Sequence, residues 1–230
     1  NQVLMGNNKF FVVGSLTTVG GVSRNGVARL EYIDTTTPTL TPITLTSTNT
    51  NPSYAKVGDI ITLSFSTDDV LTGSTITIAG QTVTPVCNDT GLAIIPCTAT
   101  LTVTAGIPLT DGLVPFSLTA VSNGGTTGPV TTTTNGSSVT VDRSITPPTI
   151  FTPANNTSIY GGLTTISGTC DASVPTVTIT GTGFTPSPTT TTCTGGTYST
   201  TVTITAGGTI TTSQTDAAGN TASANSTYAL

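Results

Sequence analysis

Threonine takes the place of charge in this chain. Sixty of its 230 residues are Thr and twenty are Ser, against five basic and ten acidic side chains. Thr is β-branched and suits a pleated, half-buried surface, so exchanging Lys or Glu for Thr favours strands and penalises helices. Its hydroxyl also leaves a neutral outer face that still bonds to water. With no Trp and 5% aromatic residues, any core must be small, which suits several β-domains of about 100 residues better than one large body. The five basic residues, Lys9, Arg24, Arg29, Lys56 and Arg143, are scattered. No basic patch exists, which speaks against nucleic acid as a partner. No apolar run approaches 18 residues, so no membrane span is expected in this sequence. The chain lacks a signal peptide and does not begin with Met. It reads as a mature product or an excised piece, with any export signal or anchor elsewhere.

Two seams rich in Pro and Thr divide the sequence: Asp34-Thr-Thr-Thr-Pro-Thr-Leu-Thr-Pro42 and Asp142-Arg-Ser-Ile-Thr-Pro-Pro-Thr149. Pro fixes φ and lacks an N–H, so such stretches suit linkers and edges rather than central strands. Between the seams, period-2 alternation places Ile61, Leu63 and Phe65 on one face and repeats with Ile76 and Ile78. It continues through Thr98–Thr104 and Val114–Ser122 and closes at Ser138–Asp142. Strands at intervals of about 8–15 residues, separated by Gly, Asn or Pro, indicate an antiparallel sandwich. No window shows an amphipathic helix. After the second seam the scheme repeats, with strands expected at Thr164–Gly168, Thr176–Thr180, Tyr198–Thr205 and Gly208–Gln214. The expected fold is all-β: two tandem sandwiches spanning 35–146 and 147–230, after an N-terminal β-repeat spanning 1–34.

Four cysteines form two local pairs, Cys87/Cys97 and Cys170/Cys193. Neither has the spacing of a zinc knuckle, and the chain has no His to complete a mixed site. A disulfide within each pair is the better reading, and it implies an oxidising compartment such as the cell surface or extracellular space. The alternative is four buried, reduced thiols.

Residues 147–230 resemble the bacterial immunoglobulin-like domains of large surface proteins and adhesins. The resemblance rests on Pro148-Thr-Ile-Phe-Thr-Pro-Ala-Asn-Asn156, Ile166-Ser-Gly-Thr-Cys170, Gly196-Thr-Tyr-Ser199 and, most specifically, Gln214-Thr-Asp-Ala-Ala-Gly-Asn220. The last motif implies the turn between the final two strands. Residues 37–146 look like a relative, through Tyr54-Ala-Lys-Val-Gly-Asp-Ile-Ile-Thr-Leu-Ser-Phe65 and Gly136-Ser-Ser-Val-Thr-Val-Asp142. The first 33 residues are similar to one delta-60 repeat, a unit of bacterial β-propellers. Val12 and Val13 would form its first strand, Gly20-Gly21 a turn, Arg24-Asn25 the link and Val27–Leu30 the closing strand. One repeat cannot close a propeller. The segment therefore belongs to a longer parent, docks on the first sandwich, or adds a strand to a neighbouring copy. Phe10, Phe11, Val12 and Val13 are the candidate assembly strand.

Chemistry is scarce. Without His, the commonest general base and the Ser/His and Cys/His nucleophile systems are excluded, and the chain is not expected to be an enzyme. Calcium at a domain boundary is the more serious alternative, with Asp142 and Asp216 the weak candidates among dispersed carboxylates (Asp34, Asp59, Asp68, Asp69 and Asp171 are the others). Lys56 could form an isopeptide with an Asn, but a solvated Lys in a turn is the plainer reading. Sequons at Asn88, Asn135, Asn155, Asn156 and Asn225 are no more numerous than chance gives in so hydroxyl-rich a chain. O-glycosylation of Thr131–Thr134 and Thr189–Thr192 is a further hypothesis. No Trp platform points to a carbohydrate-binding module. The expected role is structural and adhesive, as a stalk segment of a bacterial cell-surface or secreted fibrous protein. The alternative is a self-assembling extracellular filament, pilus or surface-layer subunit. Expected partners are a host or neighbouring-cell surface ligand, or other copies of the chain.

Overall fold

A computed structural model describes residues 35–89, 93–106 and 110–230; before residue 35 it describes only the backbone of five strands. Those are β1 (Gln2–Gly6), β2 (Lys9–Val13), β3 (Thr18–Val19), β4 (Val22–Ser23) and β5 (Val27–Glu31). They form an antiparallel sheet in the order β1-β2-β5 and a separate β3–β4 pair. The expected turn Gly20-Gly21 and link Arg24-Asn25 lie outside the described residues. One expectation changes. The segment holding Phe10 to Val13 is the inner strand of its sheet, paired with β1 on one side and β5 on the other. Its backbone groups are already engaged, so the open edges of this sheet are β1 and β5.

The first sandwich is built from β6 (Leu40–Ser47), β7 (Tyr54–Ala55), β8 (Ile60–Thr67), β9 (Leu71–Ile78), β10 (Gln81–Val83), β11 (Val86–Cys87), β12 (Ile95–Thr102), β13 (Gly112–Leu113), β14 (Phe116–Ser122), β15 (Gly125–Val130) and β16 (Thr140–Val141). One sheet runs β11-β12-β8-β6 and the other β10-β9-β14-β15. Alternation decides which face is buried. In β8, Ile61, Leu63 and Phe65 turn inward while Thr62, Ser64 and Ser66 are partly exposed. Against them pack Ile76 and Ile78 of β9, Ala99 of β12 and Leu118 of β14, all nearly inaccessible. The first seam is only partly a linker. Its last residues enter edge strand β6, where the pairing with β8 shifts register between Leu40 and Ile43 and accommodates Pro42. An edge with a bulge is where a sheet tolerates a residue that cannot donate.

The second sandwich comprises β17 (Thr157–Ser158), β18 (Gly162–Thr169), β19 (Thr176–Gly181), β20 (Phe184–Thr185), β21 (Thr189–Thr192), β22 (Thr197–Ile204), β23 (Gly208–Thr215) and β24 (Thr221–Ala229). Its sheets run β17-β24-β23-β19-β21 and β18-β22-β20. A separate core of Ile166, Val177, Ile179, Val202, Ile204 and Ile210 fills the space between them, with Tyr198 and Tyr228 at its margins. The tyrosine hydroxyls donate to backbone carbonyls, Tyr198 to Thr149 at 2.8 Å and Tyr228 to Thr182 at 2.8 Å. Both sandwiches share one device, a short parallel pairing of an early strand with the last: β7 with β16, and β17 with β24. These are two immunoglobulin-like antiparallel sandwiches in tandem, and among the described residues no helix is long and apolar enough to cross a membrane.

The cysteines staple each body differently. Cys87 and Cys97 are directly opposed across the β11–β12 pair, with Cα atoms 4.1 Å apart. Cys170, just after β18, joins Cys193, just after β21, with Cα atoms 6.0 Å apart, and so ties one sheet of the second sandwich to the other.

Candidate functional site

The residues with the most concentrated polar chemistry lie where the two sandwiches meet. The motif Gln214–Asn220 carries the turn between β23 and β24. Its conformation is set by Asp216, whose Oδ1 accepts the Ala218 and Asn220 backbone N–H groups, both at 2.9 Å. Asn220 Nδ2 donates to Asp216 Oδ2 at 2.8 Å. Gly219 sits at φ +78°, in the left-handed region that favours glycine. An Asp in this position folds the backbone back on itself by accepting N–H groups two and four residues on.

The turn docks on the end of the first sandwich. Lys56 Nζ donates to the Gly219 carbonyl at 2.6 Å and Asn49 Nδ2 donates to the Ala218 carbonyl at 2.8 Å. In return, Asn220 Nδ2 donates to the Asp142 carbonyl at 3.0 Å. Asp59 organises the receiving side, because its Oδ2 accepts from the Lys56 backbone N–H at 2.8 Å and from Asn49 Nδ2 at 2.7 Å. The linker is held from both ends. Arg143 Nε meets Asp111 Oδ1 at 2.7 Å, and the Thr146 N–H donates to Asp171 Oδ2 at 3.0 Å. Ala218 is fully buried, so the seat is closed to solvent at its centre. Lys56 is thus more than a solvated turn residue: it bonds a carbonyl of the next sandwich.

The electrostatics of this junction pull in two directions. Burial raises the pKa of Asp142 above the ordinary 3.8, aided by the nearby carboxylates of Asp216, Asp111 and Asp171. Hydrogen bonds from Ser173 and Thr146 lower that of Asp171. Because folded Asp142 holds its proton more tightly than the unfolded chain does, its contribution to stability falls as pH rises through its folded pKa. For Asp171 the sign is opposite. Its stabilisation is present above 3.8 and is lost as pH falls through its lowered value. Replacing Asp142 by Asn should therefore raise stability at pH 7, by less than about 1 kcal/mol for so accessible a group. The gain should vanish on acidification. Calorimetry of both proteins at pH 7 and pH 3 checks this; an equal gain at both values would mean that charge is not the cause.

The two calcium candidates do come near one another, but Asp216 has already committed both carboxylate oxygens to its own turn. Among the described residues no three potential metal ligands gather in one place. Elsewhere, a groove of about 350 Å³ runs beside β9 and the first cystine, lined by Val70, Leu71, Ser74, Pro85, Cys87 and Ile95. It is open to solvent, and among the described residues it holds no convergent pair of catalytic groups. Sequence reading placed Gln214 in the turn motif but missed its burial. It is 2% exposed, accepts from the Asp171 N–H at 2.7 Å, and donates to the carbonyls of Val174 at 2.9 Å and Asp171 at 3.2 Å. Extending the period-2 register of β23 inward from Ile210 would have found it.

No protein-family model matches this chain, and no curated protein sequence does either. Solved structures with a similar layout include the fibronectin(III)-like modules of Clostridium thermocellum CbhA (TM-score 0.41, 14% identity, covering 80% of this chain and 93% of that one). The D1–D4 ectodomain fragment of ICAM-5 aligns with TM-score 0.41 and 18% identity over 89% of this chain, but only 52% of its own. A 1.5-MDa bacterial ice-binding adhesin aligns with TM-score 0.35 and 20% identity over 96% of this chain and 73% of that one. At such scores the ligands and partners of those proteins remain theirs.

Proposed function

We propose that this chain is a load-bearing, adhesive segment of a bacterial cell-surface or secreted fibrous protein, with residues 35–146 and 147–230 as its two folding units. The junction carries this reading. Three direct hydrogen bonds, Lys56 to Gly219, Asn49 to Ala218 and Asn220 to Asp142, fix the second sandwich on the end of the first. Such a seat serves reach and alignment rather than a pocket. The neutral, hydroxyl-rich faces resist nonspecific ionic binding. Both cysteine pairs act as oxidised staples in an extracellular setting, and residues 1–34 contribute a delta-60-type repeat. Calcium has no part in the junction on this reading.

A second reading, self-assembly into a filament by strand addition between copies, is favoured by the outer strands β1 and β5, which pair on one side only among the described residues.

Pulling single molecules by their ends tests the first reading. Two unfolding events are expected, each shortened by the length its cystine locks away. The Cys170–Cys193 loop spans 23 residues, so reduction should lengthen the second sandwich's step by about 80 Å. The loop of ten between Cys87 and Cys97 should add about 35 Å to the first. Steps unchanged by reductant would remove the staples from the account. A single diffuse extension at low force would remove the load-bearing role.

A further inference from the structure

One edge of the first sandwich is covered by a loop rather than by a strand. Among the described residues β6 pairs with β8 alone, and residues 131–139, between β15 and β16, bond along its other side. Hydroxyls stand in for a ladder there. Thr134 Oγ1 accepts the Ile43 N–H and Ser137 Oγ accepts the Leu45 N–H, both at 2.9 Å. The Thr134 N–H donates back to the Ile43 carbonyl at 2.9 Å. Ile43 and Leu45 are core residues, each 2% exposed, so the loop fixes the backbone that carries them.

Between those two anchors stands Asn135-Gly136. Asn135 Oδ1 accepts the Ser137 N–H at 3.0 Å, the turn that an Asn side chain closes with the backbone two residues on. The ring so formed includes the Gly136 nitrogen and keeps the side-chain carbonyl folded over that peptide. Gly136 takes φ +74°, and no atom lies within 4 Å of where its Cβ would stand. Both residues are exposed. Among the described residues no acceptor takes the Gly136 N–H. Thr133 Oγ1 donates to the Ser137 carbonyl at 2.8 Å and stiffens the loop from within.

We propose that Asn135 is a self-modification site, at which the folded loop promotes conversion of the asparagine to an isoaspartyl linkage. Hydroxide from solvent removes the Gly136 amide proton, and the nitrogen attacks Asn135 Cγ. The N–Cγ bond forms, the Cγ–Nδ2 bond breaks, and Nδ2 leaves as ammonia with a proton from water. A second water opens the resulting cyclic imide at either carbonyl, giving an aspartyl or an isoaspartyl residue. Nothing is oxidised or reduced. The held ring supplies proximity, and the Ser137 N–H points at the oxygen on which charge develops.

The same dipeptide at Asn123-Gly124 is an internal control. It too lies in a turn, but the Gly124 N–H donates to Ser122 Oγ at 3.0 Å, and a Cβ at Gly124 would collide with the Thr36 carbonyl. That nitrogen is engaged and its surroundings are full, so the pair is held inert. A third such pair, Asn25-Gly26, lies outside the described residues. At Asn135 the isoaspartyl product adds one carbon to the backbone and a negative charge, both between Thr134 and Ser137. The two anchors then no longer match the spacing of β6, and the Ile43 and Leu45 N–H groups lose their partners. Unpaired edge donors are what an added strand bonds to, so ageing opens an edge that the new chain keeps covered. This goes beyond the load-bearing role, which stands whether or not the site reacts.

Incubation of the full chain at pH 8, followed by peptide mapping with mass spectrometry, tests the proposal. In the folded chain the amide-to-acid mass change should appear at Asn135 at least about tenfold faster than at Asn123. In the chain unfolded by urea the two should react alike. Incubation in heavy-oxygen water should place one solvent oxygen in the product, and enzymatic methylation of isoaspartyl groups should mark most of it. Asn135→Gln, whose ring would need a further atom, should stay unmodified. Hydrogen exchange at Ile43 and Leu45 should quicken in the modified chain, and far less in Asn135→Asp, which supplies the charge without the added carbon. Equal rates at Asn135 and Asn123 in the folded chain overturn the proposal, as does a fold that slows Asn135 relative to the unfolded chain. Unaltered exchange at Leu45 after modification overturns the link to β6, and equal opening in Asn135→Asp overturns the account by added carbon.

Discussion

Gly168→Ala should destabilise the second sandwich by more than about 3 kcal/mol, the range of severe steric change in a packed interior. Gly168 lies within β18, where glycine is otherwise a poor choice, and its φ is not one that requires it. The reason is proximity. A Cβ there would run into the Thr149 carbonyl oxygen and stand 2.8 Å from the Tyr198 hydroxyl. That oxygen is the acceptor for Tyr198, and the Thr149 N–H donates to the Thr169 carbonyl at 3.0 Å. The methyl group would therefore push the end of the second seam off the sheet and break both bonds. In a body of this size such a loss lowers Tm by roughly 12 °C or more. Calorimetry should show the transition of the second sandwich moving and that of the first staying in place. A shift below 3 °C would mean that the seam yields freely and is not packed as described.

Gln214→Leu is the second large effect, expected near 3 kcal/mol. The substitution keeps the volume and removes the amide. It leaves the Asp171 N–H and the Val174 carbonyl without their partner, while the Asp171 carbonyl keeps the Val174 N–H at 3.1 Å. Each unmet backbone group costs about 1–3 kcal/mol, and some relaxation toward solvent offsets part of that. The segment released also contains the residue after Cys170 and the carboxylate that holds the linker at Thr146. Loosening should therefore appear as faster amide exchange at Thr146 and Ser173 as well as in Tm. Unaltered exchange at Thr146 would separate the Gln214 clamp from the linker.

These two positions show what a sequence displays and what it hides. The strands β8, β12 and β14 are legible because burial alternates residue by residue, and that period is local. Gly168 is half legible: an isolated glycine in a strand signals close backbone approach, but not which backbone. Gln214 hides because the inward side of β23 reads Ile210, Thr212, Gln214 and so breaks the apolar pattern at the core. β6 was obscured by Pro42, which the bulged edge tolerates. The junction is the least legible of all. Asp216–Asn220 has the composition of a turn, but Lys56 and Gly219 are 163 residues apart in sequence, and no local pattern announces a contact that long. The pairing of β2 on both sides was similarly invisible, since an apolar run does not say whether it is an edge or a centre.

The parallel pairing of β17 with β24, and of β7 with β16, has a consequence for how each sandwich yields. β17 follows the point where the chain enters the second sandwich, and β24 ends where it leaves. Traction on the two termini draws these neighbours past each other along their length. Their cross-links are then loaded in shear, all at once, rather than peeled open one by one. A few backbone bonds arranged this way withstand a pull that would unzip a hairpin of equal size, so two pairings of only two residues each sit where the force is greatest.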